Sequence, residues 1–238
     1  MKKSISQLYD RENIVSVTAG SVTLEGNLEI PEGAKGIVLF AHGSGSSRHS
    51  PRNRYVAELL RAKGMATLLI DLLTSSEEEI DRVTRHLRFD IGLLAERLIG
   101  ATNWLEENRA TENLKIGYFG ASTGSAAALL AAAELKEAVS AIVSRGGRPD
   151  LAGTALSRVK APTLLIVGGN DIPVIAMNQE AMDYLHTKKQ LEIIPRAGHL
   201  FEEPGALEEV ARLASNWFDR YLSAADQQKQ DEQTTTNT

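Results

Sequence analysis

Six short, nearly uninterrupted apolar runs, each separated from the next by a longer segment, constrain this chain more than any other feature. They occupy residues 36–41, 66–70, 115–119, 139–143, 162–167 and 191–194. Strands that are apolar throughout suit a parallel sheet covered on both faces, because neither side of such a strand meets water. Helical patterns lie at 55–63, 91–108, 125–136, 174–186 and 207–222. In the second of these, Leu94, Leu98, Ala101 and Leu105 mark one face. Strand–helix alternation predicts a doubly wound α/β sheet with right-handed crossovers. Ligands in such sheets bind at the carboxyl ends of the strands.

Two segments depart from the alternation. Residues 14–18 and 22–30 alternate apolar and polar around Ala19-Gly20-Ser21, which predicts an antiparallel hairpin ahead of the parallel strands. Residues 74–90 are densely charged and are read as a helical excursion leading into the long 91–108 helix. One α/β domain is expected over residues 1–222, followed by a polar, disordered tail at 223–238.

Composition then removes whole classes of chemistry. The 238 residues include no cysteine, which excludes disulfides, zinc–thiolate sites, iron–sulfur clusters and a thiol nucleophile. With 26 Lys+Arg against 31 Asp+Glu, the chain lacks the basic footprint of a nucleic-acid partner. The N-terminal residues show no secretory pattern, and the apolar stretch at 126–133 is too short to span a bilayer, so a cytoplasmic protein with no membrane partner is expected. His42 and His49 have no convincing co-ligands, so no metal is expected. Gly43-Ser44-Gly45 begins like a dinucleotide fingerprint, but Arg48 stands where the third glycine packs helix against strand. No cofactor is expected, and oligomeric state is not legible in the sequence.

The chemistry concentrates at Gly120-Ala121-Ser122-Thr123-Gly124, where a strand runs straight into an Ala-rich helix. This is the G-x-S-x-G nucleophile elbow: a turn so tight that the residues two before and two after the serine must be small. A plain Gly-rich turn with Ser122 as helix N-cap is the competing reading. A serine hydroxyl needs a base, and the base needs an orienting carboxylate. Downstream of Ser122 stand two histidines; His186 falls in a helical pattern, whereas His199 follows the last apolar run. Asp171, after the 162–167 run, is the candidate acid and Asp150 its rival. The candidate oxyanion donors are the N–H groups of Thr123 and of Ser44 in the His42-Gly43-Ser44-Gly45 loop, with His42 in a structural role.

These four motifs, in this order, resemble the α/β-hydrolase superfamily over residues 14–222, and most of all its dienelactone-hydrolase-like branch. The resemblance implies an α/β-hydrolase fold without a separate lid domain. It also implies a Ser122–His199–Asp171 triad acting through an acyl-enzyme. Dienelactone hydrolases usually carry cysteine where this chain has Ser122, which points to ordinary ester chemistry. Arg145, after the 139–143 run, is the candidate holder of a substrate carboxylate, which favours a small anionic ester or lactone. A hydrolase-fold ligand-binding protein with little turnover is the alternative from another class; thioesterase or acyl-peptidase activity would use the same chemistry.

Overall fold

In a computed structural model, residues 13–223 are described. The expected tail therefore lies almost wholly outside the described residues. A single eight-stranded sheet organises the chain: β1 (Ile14–Ala19), β2 (Val22–Glu29), β3 (Ile37–Ala41), β4 (Ala66–Ile70), β5 (Ile116–Ala121), β6 (Val139–Arg145), β7 (Thr163–Gly168) and β8 (Lys189–Ile194). Their spatial order is β1-β2-β4-β3-β5-β6-β7-β8. β1 and β2 form the antiparallel hairpin, β2 meets β4 antiparallel, and every pair from β4 to β8 is parallel.

Helices cover both faces, as the apolar strands require. On one face lie α3 (Ile91–Glu107), α4 (Thr123–Leu135) and α5 (Ile172–Tyr184); on the other lie α1 (Pro51–Ala62) and α6 (Ala206–Leu222). Strand alternation sends Leu39 into the first core and Val38 and Phe40 into the second, where Phe40 meets Phe119 at 4.9 Å between ring centroids. The Ala-rich α4 lies close against the sheet because Ala126, Ala127 and Ala128 are fully buried and small.

The charged excursion is α2 (Ser75–Thr84) followed by a 3-10 turn at Leu87–Phe89. Thr74 starts it with a capping box: its hydroxyl accepts from Glu77 N–H while the Glu77 carboxylate accepts from Thr74 N–H. No lid domain follows β6; residues Pro149–Arg158 form only 3-10 turns. Several boundaries differ from the sequence expectation, α1 beginning at Pro51 rather than at Tyr55 among them. β8 begins at Lys189 rather than at Leu191, because an edge strand pairs by its backbone without needing apolar side chains at its exposed start. α5 ends at Tyr184, which puts His186 in the connection to β8 rather than in a helix. Among the described residues no helix is long and apolar enough to cross a membrane.

Candidate active site

β5 delivers Ser122 to the carboxyl edge of the sheet, and α4 departs from it at once. Ser122 adopts φ 50°, ψ −121°, a region a non-glycine residue occupies at a cost of about 1–3 kcal/mol. The surroundings hold it there. Ser122 N–H donates to the Arg145 carbonyl (3.2 Å), while the Ser122 carbonyl accepts from Ser125 N–H (3.1 Å) and Arg148 N–H (3.2 Å). A Cβ at Gly120 would stand 2.5 Å from Ser125 Cα, and one at Gly124 would stand 2.3 Å from the Ala41 carbonyl oxygen. The turn closes only with glycine at both places. Ser122 makes no side-chain cap bond to α4, so its hydroxyl is not occupied as an N-cap.

Asp171 sits at the end of the turn after β7, in N-cap position for α5, yet it makes no cap bond either. Its carboxylate instead meets His199 Nδ1 at 2.6 Å. Asp150 is engaged elsewhere, gripped by Arg148 through two bonds of 2.9 and 2.7 Å. The histidine loop is seated on β7: a Cβ at Gly168 would lie 2.4 Å from the Ala197 carbonyl oxygen and 2.5 Å from that of Gly198. Arg196 and Phe201, on either side of His199, both have positive φ (64° and 56°), and the buried Phe201 ring anchors the loop's far end. The Asp171 bond occupies Nδ1 and leaves Nε2 for proton transfer. His199 Cε1 comes within 3.5 Å of the Cβ position of Gly146, the residue after Arg145, whose carbonyl receives Ser122 N–H. No Ser122–His199 hydrogen bond is formed among the described residues; hydrogen bonds of this type are often long in an unliganded site and tighten when a ligand binds.

Ser44, after β3, and Thr123, after the neighbouring β5, are brought together, with Ser44 N–H donating to Thr123 Oγ1 at 2.8 Å. Gly43 passes so close to the elbow that its Cβ would lie 3.1 Å from Ser122 Cβ. Two devices fix this loop. Arg48 donates from its backbone to Asp71, pairs with the Asp71 carboxylate through its guanidinium, and reaches Asn27 and Glu25 on β2. His42 accepts Leu72 N–H at Nε2 (3.1 Å), so Nδ1 carries the proton and donates to the Gly43 carbonyl (3.0 Å). Loss of water around the ring pushes its pKa below the usual histidine value, against opposing pulls from the Gly43 bond and the charges of Asp71 and Glu78. The ring is thus a neutral spacer between Leu72, just after β4, and the Gly43–Gly45 loop. His42→Ala should lower kcat by about 10²-fold with little change in KM, since a loop displaced by an ångström misplaces its donor. Steady-state kinetics on a short ester checks this, and an unchanged kcat would remove the positioning role.

The charged excursion roofs a cavity of about 40 Å³ beside this loop, lined by His42, Ser44, Asp71, Glu78, Asp81 and Arg88 among others. Arg88 ties the roof together by pairing with the buried Asp81 and approaches the Cβ position of Gly45 at 3.3 Å. Burial pushes the Asp81 pKa up, but the Arg88 side-chain and backbone hydrogen bonds outweigh it, and the net shift is downward. A depressed folded-state pKa contributes stability that is present above the unfolded value and is lost as pH falls through the folded one. Below about pH 4, α2 and its 3-10 turn should open before the sheet. Hydrogen exchange corrected for intrinsic rates should show this, and Asp81→Asn should produce the same opening at neutral pH.

Arg145 is the last residue of β6 rather than part of the loop beyond it, because the strand keeps pairing with Ala121 and Ile166 up to that point. Its side chain lies on the α1/α6 face, 7% exposed, with its guanidinium 5.9 Å from the Phe201 ring centre. Burial, and secondarily the charge of Arg52, pushes its pKa down to about 10, so it stays cationic at neutral pH. Arg52, Arg48 and Asp71 had no motif to announce them; their roles arise only from where the chain folds back. Among the described residues no cluster of three His, Cys, Asp or Glu side chains could hold a metal ion.

The model of the dienelactone hydrolase family matches residues 24–234. A crystal structure of dienelactone hydrolase from Anabaena variabilis is 71% identical, covers 89% of this chain and 98% of that one, and has a TM-score of 0.88. Est1E from Butyrivibrio proteoclasticus has a TM-score of 0.71 at 15% identity, covering 86% and 97% of the two chains, a likeness of fold alone. A Mycobacterium tuberculosis protein provisionally named a phosphoribosyl transferase is 58% identical over 212 residues, which are 89% of this chain and 47% of that protein. The chain thus spans about half the length of the curated relatives it matches.

Proposed function

The chain belongs to the dienelactone hydrolase family, and from that membership we propose that it is a serine hydrolase cleaving a carboxylic ester or lactone of a small anionic substrate. The observation that carries this reading is the 2.6 Å His199–Asp171 contact at the strand ends beside a strained, uncapped Ser122. Ser122 Oγ attacks the carbonyl carbon, and His199 Nε2 takes the hydroxyl proton. Asp171 holds Nδ1–H and stabilises the imidazolium that forms. The oxyanion is held by the N–H of Thr123, joined by the N–H of Ser44 once that group turns from the Thr123 hydroxyl to which it donates in the free protein. The Thr123 hydroxyl, which accepts from Ser44, has its own proton to offer as a third donor. His199 then returns the proton to the leaving alkoxide, which in a lactone stays tethered to the acyl group. Water, activated by His199, releases the acid and restores Ser122.

The roof formed by α2 supports a small substrate, because it narrows the approach to the oxyanion loop. The phosphoribosyl transferase name belongs to a protein about twice as long, and it is not carried to this chain. A fluorophosphonate probe followed by peptide mapping tests the proposal together with a panel of short p-nitrophenyl esters, lactones and thioesters. The label is expected on Ser122, with measurable ester hydrolysis. A protein that neither labels at Ser122 nor turns over any member of the panel would overturn the reading.

A further inference from the structure

The turn at the end of β6, residues 145–148, bears on the supports of all three proposed catalytic groups. The Arg145 carbonyl accepts Ser122 N–H and Arg148 N–H donates to the Ser122 carbonyl, each at 3.2 Å, so the turn grips the strained serine from both sides of its backbone. Between these two bonds stands Gly146, at φ 52°, whose Cβ position lies 3.1 Å from the His199 carbonyl oxygen and 3.5 Å from His199 Cε1. Gly147 follows, and its carbonyl accepts from Asn178 Nδ2 at 3.0 Å. Asn178 belongs to α5, the helix that has Asp171 in its N-cap position. Its side chain is fully buried. The same nitrogen donates to the Val174 carbonyl of its own helix at 2.8 Å. Two carbonyl oxygens at these distances require the amide nitrogen on that side, because an amide oxygen there would face acceptors only. Oδ1 is left buried without a partner, so the donor is the working end of the side chain.

We propose that Asn178 is a positioning residue: by tying Gly147 to α5, it sets Ser122 in register with the His199–Asp171 pair. The proposal rests on the hydrolase reading above. Ser122, Asp171 and His199 arrive from β5, β7 and the loop beyond β8, and no hydrogen bond joins the serine to the histidine. Their relative placement therefore depends on what lies between them, and that is the 145–148 turn. The backbone holds its near end, where Gly146 N–H donates to the Ile166 carbonyl of β7 at 2.8 Å. Beyond that bond the hold passes to side chains. A Cβ at Gly147 would collide with Ser144 Oγ and stand 2.7 Å from Ser125 Oγ, yet neither hydroxyl makes a hydrogen bond. They confine Gly147 by contact without orienting its peptide. Asn178 orients it, and from the helix that carries the acid. A turn released at Gly147 would let Arg148 and the serine backbone drift away from the base. A misplacement of about 1 Å is enough to cost about 10²-fold in rate.

Two variants remove the tie in different ways. Asn178→Leu keeps the volume and loses both bonds. Asn178→Thr is the gentler change: its hydroxyl can still bond the Val174 carbonyl within the helix but is too short to reach Gly147. Each should lower kcat on a short p-nitrophenyl ester by about 10²-fold, leave KM within about threefold, and slow fluorophosphonate labelling of Ser122 in proportion. Thr111→Val is the structural control. It breaks a buried bond to the Leu105 carbonyl, in the connection that enters β5 at its far end. It should lower Tm while leaving kcat and labelling within about twofold of wild type. Amide hydrogen exchange gives a readout that needs no turnover. Relative to the amides of β3, those of Ser122 and Arg148 should exchange about tenfold faster in Asn178→Thr and at the wild-type ratio in Thr111→Val. If wild type neither labels nor turns over, the hydrolase reading fails and exchange alone decides whether Asn178 holds the turn. Wild-type kcat and labelling in Asn178→Thr, an equal loss of kcat in Thr111→Val, or unchanged exchange at Ser122 and Arg148 in the Asn178 variants overturns the proposal.

Discussion

Replacing Ser122 by alanine is expected to lower ester turnover by about 10⁶-fold without loss of fold. The size follows from how the site is built. Without Oγ no acyl-enzyme forms, and His199 with Asp171 has no nucleophile to activate. What remains is the oxyanion donors, which on their own support only slow attack by water. Stability should hold, because Ser122 Oγ caps nothing and the elbow's close contacts are made by backbone and by glycines. Ser122→Gly carries the argument further. It should be equally inactive yet more stable by about 1 kcal/mol, since glycine meets φ 50° without the strain a side chain imposes. Burst kinetics with p-nitrophenyl acetate and thermal melts check both parts. Residual turnover within a hundredfold of wild type would mean that another group attacks.

Asp171→Asn should lower kcat by about 10⁴-fold while leaving the loop in place. The native carboxylate accepts the Nδ1 proton at 2.6 Å and leaves Nε2 unprotonated to face the hydroxyl. An asparagine amide can present N–H to Nδ1, which would move the imidazole proton to Nε2 and leave no base toward Ser122. The rate of fluorophosphonate labelling should fall in parallel, because it reports the same activation. Asp150→Asn is the matched control: that carboxylate is held by Arg148, and its loss should leave kcat within about twofold of wild type. If the Asp150 variant proved the slower one, the assignment of the acid would be reversed.

Much of the sheet was legible because its strands are buried on both faces and so announce themselves as apolar runs. The elbow was legible for a related reason: a turn that puts a Cβ 2.3 Å from a carbonyl oxygen tolerates only glycine, and glycine is visible in a sequence. Asp171 was less distinct from Asp150, since both follow strands and both precede helical turns. What separates them is the His199 contact, which is 28 residues away along the chain and cannot be read locally. Arg145 and Arg52 were unequally visible. Arg145 stood at the end of an apolar run, but Arg52 looked like any solvated residue at the start of a helix. Its Nε is nonetheless buried in the folded chain. The excursion showed its charges but not their direction, because the Asp81–Arg88 pair faces inward to the loop after β3 rather than outward to water.

The strand order carries one more consequence, which concerns time rather than chemistry. β3 lies between β4 and β5, so the loop bearing Ser44 reaches the elbow only after strands distant in sequence have paired. Asp171 and His199 come later still, from β7 and the loop beyond β8. Pairings of such wide separation close slowly, after local helices have formed. A refolding chain would therefore regain its helical signal well before it regains a working site. Recovery of enzymatic activity would then mark the final assembly of the sheet rather than its beginning.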